Sequence, residues 1–381
     1  MATGAGDQFW EQQRLPGVFK HDLLRRYLPR FAGKTGSRAP GVVYLDGYAG
    51  RGRYQDGSPA SAERILQIAE QQGAQGINYR LFFYEPDPES FAALNGVVGE
   101  YVARGVQAEA DDCEVIGGLD QVVVAAGGKP LFLFLDPCGL GIPFLVLTRT
   151  LSGPRAAKWP PTEVLLNFSL DAVRRIAGHV ASATPTEKSM VRLDEVLGGD
   201  WWRDLVQQGV SDQAVDEIVR GFMERLGRAT GMRILAMPVR RDPAHKPVYF
   251  LVFGTRNPLG IWYFSDDTAR ATETWWSTFD AQEAAKSDQP SLFPASLLMR
   301  HDLSEVEAKA RPVIAENIAA LVAERGPIRV GDFPVEAFGD YLGRVRETVV
   351  RAAIKDLYKS GRTPSDGVGK RIADLRVSPL R

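Results

Sequence analysis

The sequence predicts an α/β fold built on a mostly parallel sheet, and three observations carry that prediction. Apolar runs that end in an acid recur in chain order, at Val42–Asp46, Leu81–Glu85 and Leu131–Asp136. Helical segments separate the runs, which implies parallel pairing through right-handed crossovers. Most of the runs are continuously apolar rather than alternating, as expected where helices cover both faces of a sheet.

Residues 1–40 read as an N-terminal helical cap segment, in which Leu23, Leu24, Tyr27, Leu28 and Phe31 form a helical stripe over Phe19–Phe31. Gly33–Pro40 reads as a loop. From Gly41 onward, strands are expected at Val42–Asp46, Tyr79–Glu85, Val106–Ala110, Leu131–Asp136 and Glu163–Phe168. Helices are expected between them at Ser58–Gln72, Pro88–Arg104, Glu114–Ala126 and Pro143–Leu151. A helical insertion fills 171–230, and Met232–Arg240 and Pro247–Thr255 form a hairpin across Arg241–Lys246. Residues 41–285 thus read as a Rossmann-like domain of five parallel strands plus a terminal hairpin. A polar break over Gln282–Pro290 leads into 286–381, where the pattern changes. Helix Glu305–Glu324, an extended piece at Pro327–Val330, helix Arg344–Ser360 and a last strand within Arg371–Val377 resemble a winged-helix-like module.

Bulk composition narrows the class. The chain has 381 residues, 44% hydrophobic and 24% charged, the balance of an ordinary globular protein. It lacks a long apolar run and a basic-then-apolar leader, so a cytoplasmic protein is expected. Its two cysteines, Cys113 and Cys138, exclude a disulfide framework, and its four scattered histidines argue against a structural metal. A net charge of −1 excludes bulk-charge attachment to nucleic acid but not a local basic face. Lys and Arg do gather late, at Arg344, Arg346, Arg351, Lys355, Lys359, Arg362, Lys370 and Arg371; those of Arg344–Lys359 fall on several faces of their helix, a solvated surface or, alternatively, a recognition helix against phosphate.

The acids at the strand ends carry the candidate site. In open α/β sheets the ligand binds beyond the carboxyl ends of the strands. Asp46-Gly47-Tyr48-Ala49-Gly50-Arg51-Gly52 is a glycine-rich turn whose backbone can approach a ligand, and Asp46 could take a cationic amino group. A tight turn that simply needs glycine is the alternative. Glu85 suits a bidentate role on ribose hydroxyls; alternatively Asp87 caps the next helix and Glu85 is merely solvated. Asp111 or Asp112 would accept from an adenine amino group, unless one of them caps the helix near Glu114. Three such junctions point to an S-adenosylmethionine site. Asp136-Pro137-Cys138-Gly139 occupies the place of an Asp/Asn-Pro-Pro-aromatic motif, in which the acid and a backbone carbonyl orient an exocyclic amine. Here the stacking aromatic is absent, and Phe144 or Phe168 is the conceivable replacement. A strand-ending turn without a catalytic role, or Cys138 as a nucleophile, are the other readings. Asn167-Phe168-Ser169 could touch substrate or cap a helix through Ser169. The pairs Trp201-Trp202 and Trp275-Trp276 read as core rather than base-stacking platforms.

With those residues in view, the chain resembles the three-Cys-motif partner proteins. The likeness lies in Trp10, Lys20-His21, Tyr27-Leu28, Tyr44 to Gly52, Gly57-Ser58-Pro59, Phe134 to Gly139 and Tyr249 to Thr255, and covers roughly residues 8 to 285. It implies a class I S-adenosylmethionine-dependent methyltransferase sheet and, as possible partner, a three-cysteine, radical-SAM-like protein. Lys20-His21 with Leu45 to Tyr54 is also similar to ribosomal-RNA adenine-N6 methyltransferases. That second resemblance implies that Lys20, His21 and Tyr48 line the cofactor pocket alongside Glu85, Asp111 and Asp136, and the candidate catalytic set is Lys20, Asp136, Pro137 and Cys138. The departures are Tyr48 in place of His, and Cys138-Gly139 in place of Pro-aromatic.

Three functional readings follow. The first is a methyltransferase acting on DNA or RNA, at a base amino group. The second is a non-methylating partner subunit that binds nucleic acid or the radical-SAM-like protein. The third is a different base modification.

Overall fold

A computed structural model describes residues 10, 14–180, 187–286 and 302–380. The chain divides into two compact units. The first comprises Met1–Gly17, Leu28–Arg241 and His245–Arg256; the second comprises Val18–Tyr27, Asp242–Ala244 and Asn257–Arg381.

In the first unit, the strands are β1 (Val42–Asp46), β2 (Tyr79–Tyr84), β3 (Ala108–Asp111), β4 (Leu131–Leu135), β5 (Thr162–Ser169), β6 (Arg233–Val239) and β7 (Tyr249–Thr255). They form one seven-stranded sheet in the order β3-β2-β1-β4-β5-β7-β6. β1 to β5 pair in parallel, and β7 runs antiparallel between β5 and β6. The expected five parallel strands and terminal hairpin are present. The hairpin inserts its second strand next to β5, so β6 forms the edge.

Continuous apolarity has the anticipated cause, since every residue of β1 and β4 is buried. On one face Val43, Leu45, Leu133 and Leu135 join a core with α4 (Val115–Ala126) and α5 (Phe144–Leu151). The insertion supplies α6 (Leu170–Ala177), α7 (Glu187–Leu197) and α8 (Asp212–Thr230) to that same core through Ile176, Leu193, Leu197, Ile218 and Phe222. Trp202 is fully buried there, its indole N–H donating to Asp194 at 2.8 Å. On the other face the Tyr44 and Phe132 rings stack at 5.9 Å, and Phe31 meets Phe132 edge-on at 5.5 Å. Phe31 belongs to α1 (Leu15–Thr35), which extends through Gly33–Thr35, where a loop was expected. Two further helices, α2 (Ser61–Gly73) and α3 (Pro88–Val102), follow β1 and β2. β3 begins at Ala108, two residues later than its apolar pattern suggested, with the Gln107 carbonyl accepting from Leu81 N–H at 2.9 Å at the strand's entry.

The second unit contains α9 (Pro258–Lys286), α10 (Leu303–Arg325), β8 (Ile328–Arg329), α11 (Pro334–Phe338), α12 (Thr348–Lys359) and β9 (Arg376–Val377). β8 and β9 pair antiparallel, Ile328 opposite Val377. The division at Arg256/Asn257 precedes the expected 285/286 boundary, and residues 287–290 of the polar break lie outside the described residues. The reason is Trp262 of α9, which is fully buried among Ile314, Ile318, Phe338 and Val350. Sequence periodicity did not reveal α9. Its middle turn, Ser265-Asp266-Asp267-Thr268, is polar yet at most 1% exposed, so no single apolar stripe exists to read. The Gly343 N–H donates to Ser265 Oγ at 2.7 Å and the Glu347 N–H to Asp266 Oδ1 at 3.0 Å, which satisfies part of this buried polarity. Among the described residues no helix is long and apolar enough to cross a membrane.

A buried arginine ties the entry side of the first unit's sheet. Arg155 is 3% exposed and donates to Thr162 Oγ1 at 2.8 Å and to the carbonyls of Gly127 at 2.8 Å and Lys129 at 3.0 Å. Burial, then the nearby charge of Arg256, lowers its pKa. Arg155→Ala orphans these acceptors and is expected to cost about 3 kcal/mol, measured by denaturant unfolding of the full chain.

Candidate active site

The turn after β1 is closed on itself. Four successive backbone N–H groups donate within the protein: Gly47 to the Phe134 carbonyl at 3.0 Å, Tyr48 to Asp46 Oδ1 at 3.2 Å, Ala49 to the Tyr84 carbonyl at 3.0 Å and Gly50 to Glu85 Oε2 at 2.9 Å. A phosphate-binding loop needs such amides aimed at the ligand. This turn has already committed them, so its chemistry disfavours a pyrophosphate and leaves carboxylates as the recognition groups.

Asp46 is fully buried. Besides Tyr48 N–H it accepts from the Ser61 hydroxyl at 2.9 Å, which fastens the turn to the first residue of α2. Gly50 has φ +61°, and a Cβ there would lie 2.2 Å from the Trp10 ring. The glycine is thus required by backbone conformation and by the indole lying against it, so the tight-turn alternative describes a real part of its role. Trp10 is 6% exposed and packs on Tyr54 at 5.8 Å.

Glu85, just beyond β2, is more than a solvated acid. Its second oxygen, Oε1, accepts from Asp87 N–H at 2.9 Å, so the carboxylate bridges the β1 turn and the start of α3. Burial raises its pKa, opposed by the Asp87 and Gly50 amides. Asp87 in turn caps α3, accepting from Ser90 N–H at 2.9 Å. The Asp87 cap is therefore present, while Glu85 is engaged by two backbone amides rather than merely solvated. Next along the edge, Tyr84 stands in register with Asp111, and Glu85 N–H donates to the Asp111 carbonyl at 3.1 Å. Asp111 is half-buried and Asp112 exposed, while the N-cap of α4 is Glu114, without a side-chain hydrogen bond.

At the other side of β1, Asp136 is half-buried, Pro137 buried and Cys138 exposed. Asp136 Oδ1 accepts from Asn167 Nδ2 at 2.7 Å, across the ends of β4 and β5. A carboxylate only accepts, so this contact orients the amide and turns Asn167 Oδ1 away. That oxygen is buried and has no hydrogen-bond partner within the protein. A narrow slot of about 20 Å³, roughly one water, is lined here by Gly139, Gly141, Asn167, Phe168, Leu197 and Phe222. Tyr44 also buries an unpartnered hydroxyl; its pKa is raised by burial and then by the charges of Asp46 and Asp136. Burial likewise raises Tyr48, with Arg192 opposing and Glu114, Asp136 and Cys138 reinforcing, so Tyr48 shares the neighbourhood of Asp136 and Cys138.

Several expectations are redistributed. Phe144 and Phe168 do not stand free to stack on a base, because both rings pack on Phe222, at 6.1 Å and 4.8 Å. Ser169 caps α6 through Ala172 N–H at 3.2 Å. Lys20 and His21 are buried, 9% and 3% exposed, on the stretch of α1 that belongs to the second unit. No sequence pattern pointed to Arg192, in the insertion, whose guanidinium donates to the Gly141 carbonyl at 3.4 Å. Asn167, which the sequence marked within Asn167-Phe168-Ser169, stands near the end of β5 against Asp136.

No protein-family model matches the chain, and neither does any curated protein. Among solved structures, the small RNA methyltransferase HEN1 is similar at 7% identity and TM-score 0.35; the match covers 66% of this chain and about a quarter (27%) of that one. A protein described as an rRNA methylase from Clostridium thermocellum matches at 9% identity and TM-score 0.29, over 62% of this chain and 94% of that one. Geranyl diphosphate methyltransferase, in complex with its substrate and sinefungin, matches at 11% identity and TM-score 0.26, over 60% and 78%. These are distant likenesses, and the reading of the site rests on its own geometry.

Gly50→Ala is expected to destabilise the chain by roughly 2 kcal/mol through left-handed strain and the clash with Trp10. Gly73→Ala, at a helical glycine with open space around its Cβ position, serves as the control and should be neutral or mildly stabilising in thermal unfolding.

Proposed function

We propose that the first unit binds S-adenosylmethionine at the carboxyl edge of β1, β2 and β3, and that the protein is a methyltransferase acting on a base amino group of nucleic acid. The observation that carries the reading is the division of labour at this edge. Turn amides are consumed internally, while the half-buried carboxylates of Glu85 and Asp111 stand on adjacent strand ends. That chemistry fits a phosphate-free nucleoside. Each Glu85 oxygen accepts one amide and keeps a second lone pair, enough for two ribose hydroxyls. Asp111, or its neighbour Asp112, would accept from the adenine amino group. Asp46 would act as a positioning residue, holding the turn, with Tyr48 and Trp10 beside it.

When bound, the cofactor supplies an electrophilic methyl group on a sulfonium. The residues at the β4 end would then do the orienting. Asp136 and the Pro137 carbonyl would accept the two N–H bonds of an exocyclic amine, and Asn167 holds the Asp136 carboxylate in place. Alignment and exclusion of water account for most of the rate in such a transfer, so no strong acid or base is required. The element order of 302–380, helix, strand, two helices and a strand pairing with the first, supports a winged-helix-like reading of the C-terminal module.

A second reading is favoured by one feature. Gly139 stands where a stacking aromatic would be, beside the exposed Cys138, which suits a partner subunit that binds cofactor and nucleic acid, or a three-cysteine radical-SAM-like protein, without transferring methyl groups. Tight cofactor binding with no methyl incorporation into any DNA or RNA pool would favour that reading.

Calorimetry with S-adenosylhomocysteine tests the proposal; absence of binding ends it. Glu85→Ala is expected to weaken binding at least tenfold. Asp136→Ala should leave it within about threefold while abolishing methyl transfer to nucleic-acid pools. Because burial raises the Glu85 pKa, the carboxylate is lost on acidification sooner than an ordinary glutamate. Affinity should therefore fall as pH drops through that raised pKa, and Glu85→Gln should flatten this dependence.

A further inference from the structure

We infer that the exposed face of α12, together with the loop leading into β9, is a docking surface for the backbone of duplex DNA. From Thr348 to the end of the described chain there are seven Lys and Arg and three Asp, a net of +4 within a protein of net charge −1. The structure sorts these charges. Asp356 is held by Arg311 of α10 and Asp374 by Arg329 of β8, while Asp366 accepts from Val368 N–H at 2.9 Å and shapes the loop. Among the seven cations, Arg362 pairs with Glu316. Arg351, Lys355, Lys359, Lys370, Arg371 and Arg376 form no ion pair among the described residues. Each local acid thus has another partner, though the Asp356 charge also reaches Lys359, and six cations of the 26-residue stretch 351–376 lack an ion pair among the described residues.

The cations are also arranged. The helix begins at Thr348, so Arg344 and Arg346 precede it, and Arg346 is engaged with Glu307. What is left on α12 is Arg351, Lys355 and Lys359, spaced by four residues on one face opposite the buried Val350, Ala353, Ile354 and Leu357, with Lys355 and Lys359 exposed and Arg351 half-buried. This corrects the expectation that the basic residues fall on several faces. Arg351 Nη2 donates to the Gly369 carbonyl at 2.8 Å, which ties the loop to the row, and Thr363 and Ser365 bond to Ser378 at 2.7 Å and 3.1 Å. The loop therefore holds Lys370 and Arg371, both exposed, with Arg376 in a shallow hollow lined by Lys370, Arg371, Asp374 and Arg376. Val368 at the loop tip is 75% exposed and Tyr358 beside the row is 50% exposed.

A rigid row of cations on a helix, flanked by a cationic loop, matches the charge of a phosphodiester backbone. The major groove of B-form DNA admits a helix, whereas that of duplex RNA is too deep and narrow for side chains to read. Seated along the major groove of B-form DNA, this row would meet the flanking phosphates, so duplex DNA is the proposed occupant. This inference deepens the nucleic-acid part of the proposed function and is independent of the cofactor.

The test uses the full chain and fluorescence anisotropy with a labelled random-sequence duplex DNA, titrated at several salt concentrations. The double variants Lys355→Ala/Lys359→Ala and Lys370→Ala/Arg371→Ala are each expected to lose at least tenfold in affinity. Each should also reduce the slope of log affinity against log salt by about two, near 0.9 per phosphate contact. Lys309→Ala, at an exposed lysine of α10, should match the wild type. Wild-type behaviour of both double variants, no binding by the wild type, or equal affinity for duplex RNA of the same sequence would each overturn the inference. S-adenosylhomocysteine binding, measured in parallel, should be unchanged in the double variants. Its loss in the wild type would remove the methyltransferase reading and leave this surface standing.

Discussion

The contact between Gly50 N–H and Glu85 is the joint on which the site depends. A carboxylate that reaches back from the end of β2 to the turn after β1, and forward to the start of α3, fixes three segments with one group. It also explains the chemistry left over. Backbone amides are strong, obligatory donors, and once the turn has spent four of them internally, a ligand must be recognised by acceptors. Carboxylates supply those acceptors, and the raised pKa of Glu85 marks the desolvation that makes its remaining lone pairs valuable.

Across the sheet, Asp136 and Asn167 form a comparable arrangement with a different balance. The pair is closed on one side and open on the other, since orienting the amide toward the carboxylate leaves Asn167 Oδ1 buried without a donor. Such an oxygen is costly in a finished core, roughly 1–3 kcal/mol, and buried groups of this kind concentrate at working sites. The slot beside it is too small for a base as it stands. Arg192, from the insertion, donates to the Gly141 carbonyl at its rim.

Much of the sheet was legible because continuous apolar runs ended by acids mean one thing in an α/β protein: central strands whose carboxyl ends face a crevice. The helices between them were legible for the same reason, with some boundaries shifted by up to three residues, and α3, capped by Asp87, starts at Pro88 as expected. The long helix α9 was not, because its central turn buries Ser265, Asp266, Asp267 and Thr268. Periodicity reports hydrophobicity, and a helix that buries hydrogen-bonded polar groups carries no such signal. The pairing of the C-terminal cations was equally hidden, since partners such as Glu307 with Arg346 or Glu316 with Arg362 lie about forty residues apart.

By itself the amino-acid sequence determined the order of strands and helices, the acids at the strand ends and the need for glycine in the first turn. These follow from local rules of side-chain periodicity and backbone sterics. Only the tertiary structure decided which amides the turn had spent, which oxygen of Asn167 was left buried and which six cations had no acid. Those outcomes depend on groups brought together across long stretches of chain, where hydrogen-bond geometry and charge compensation are settled by packing.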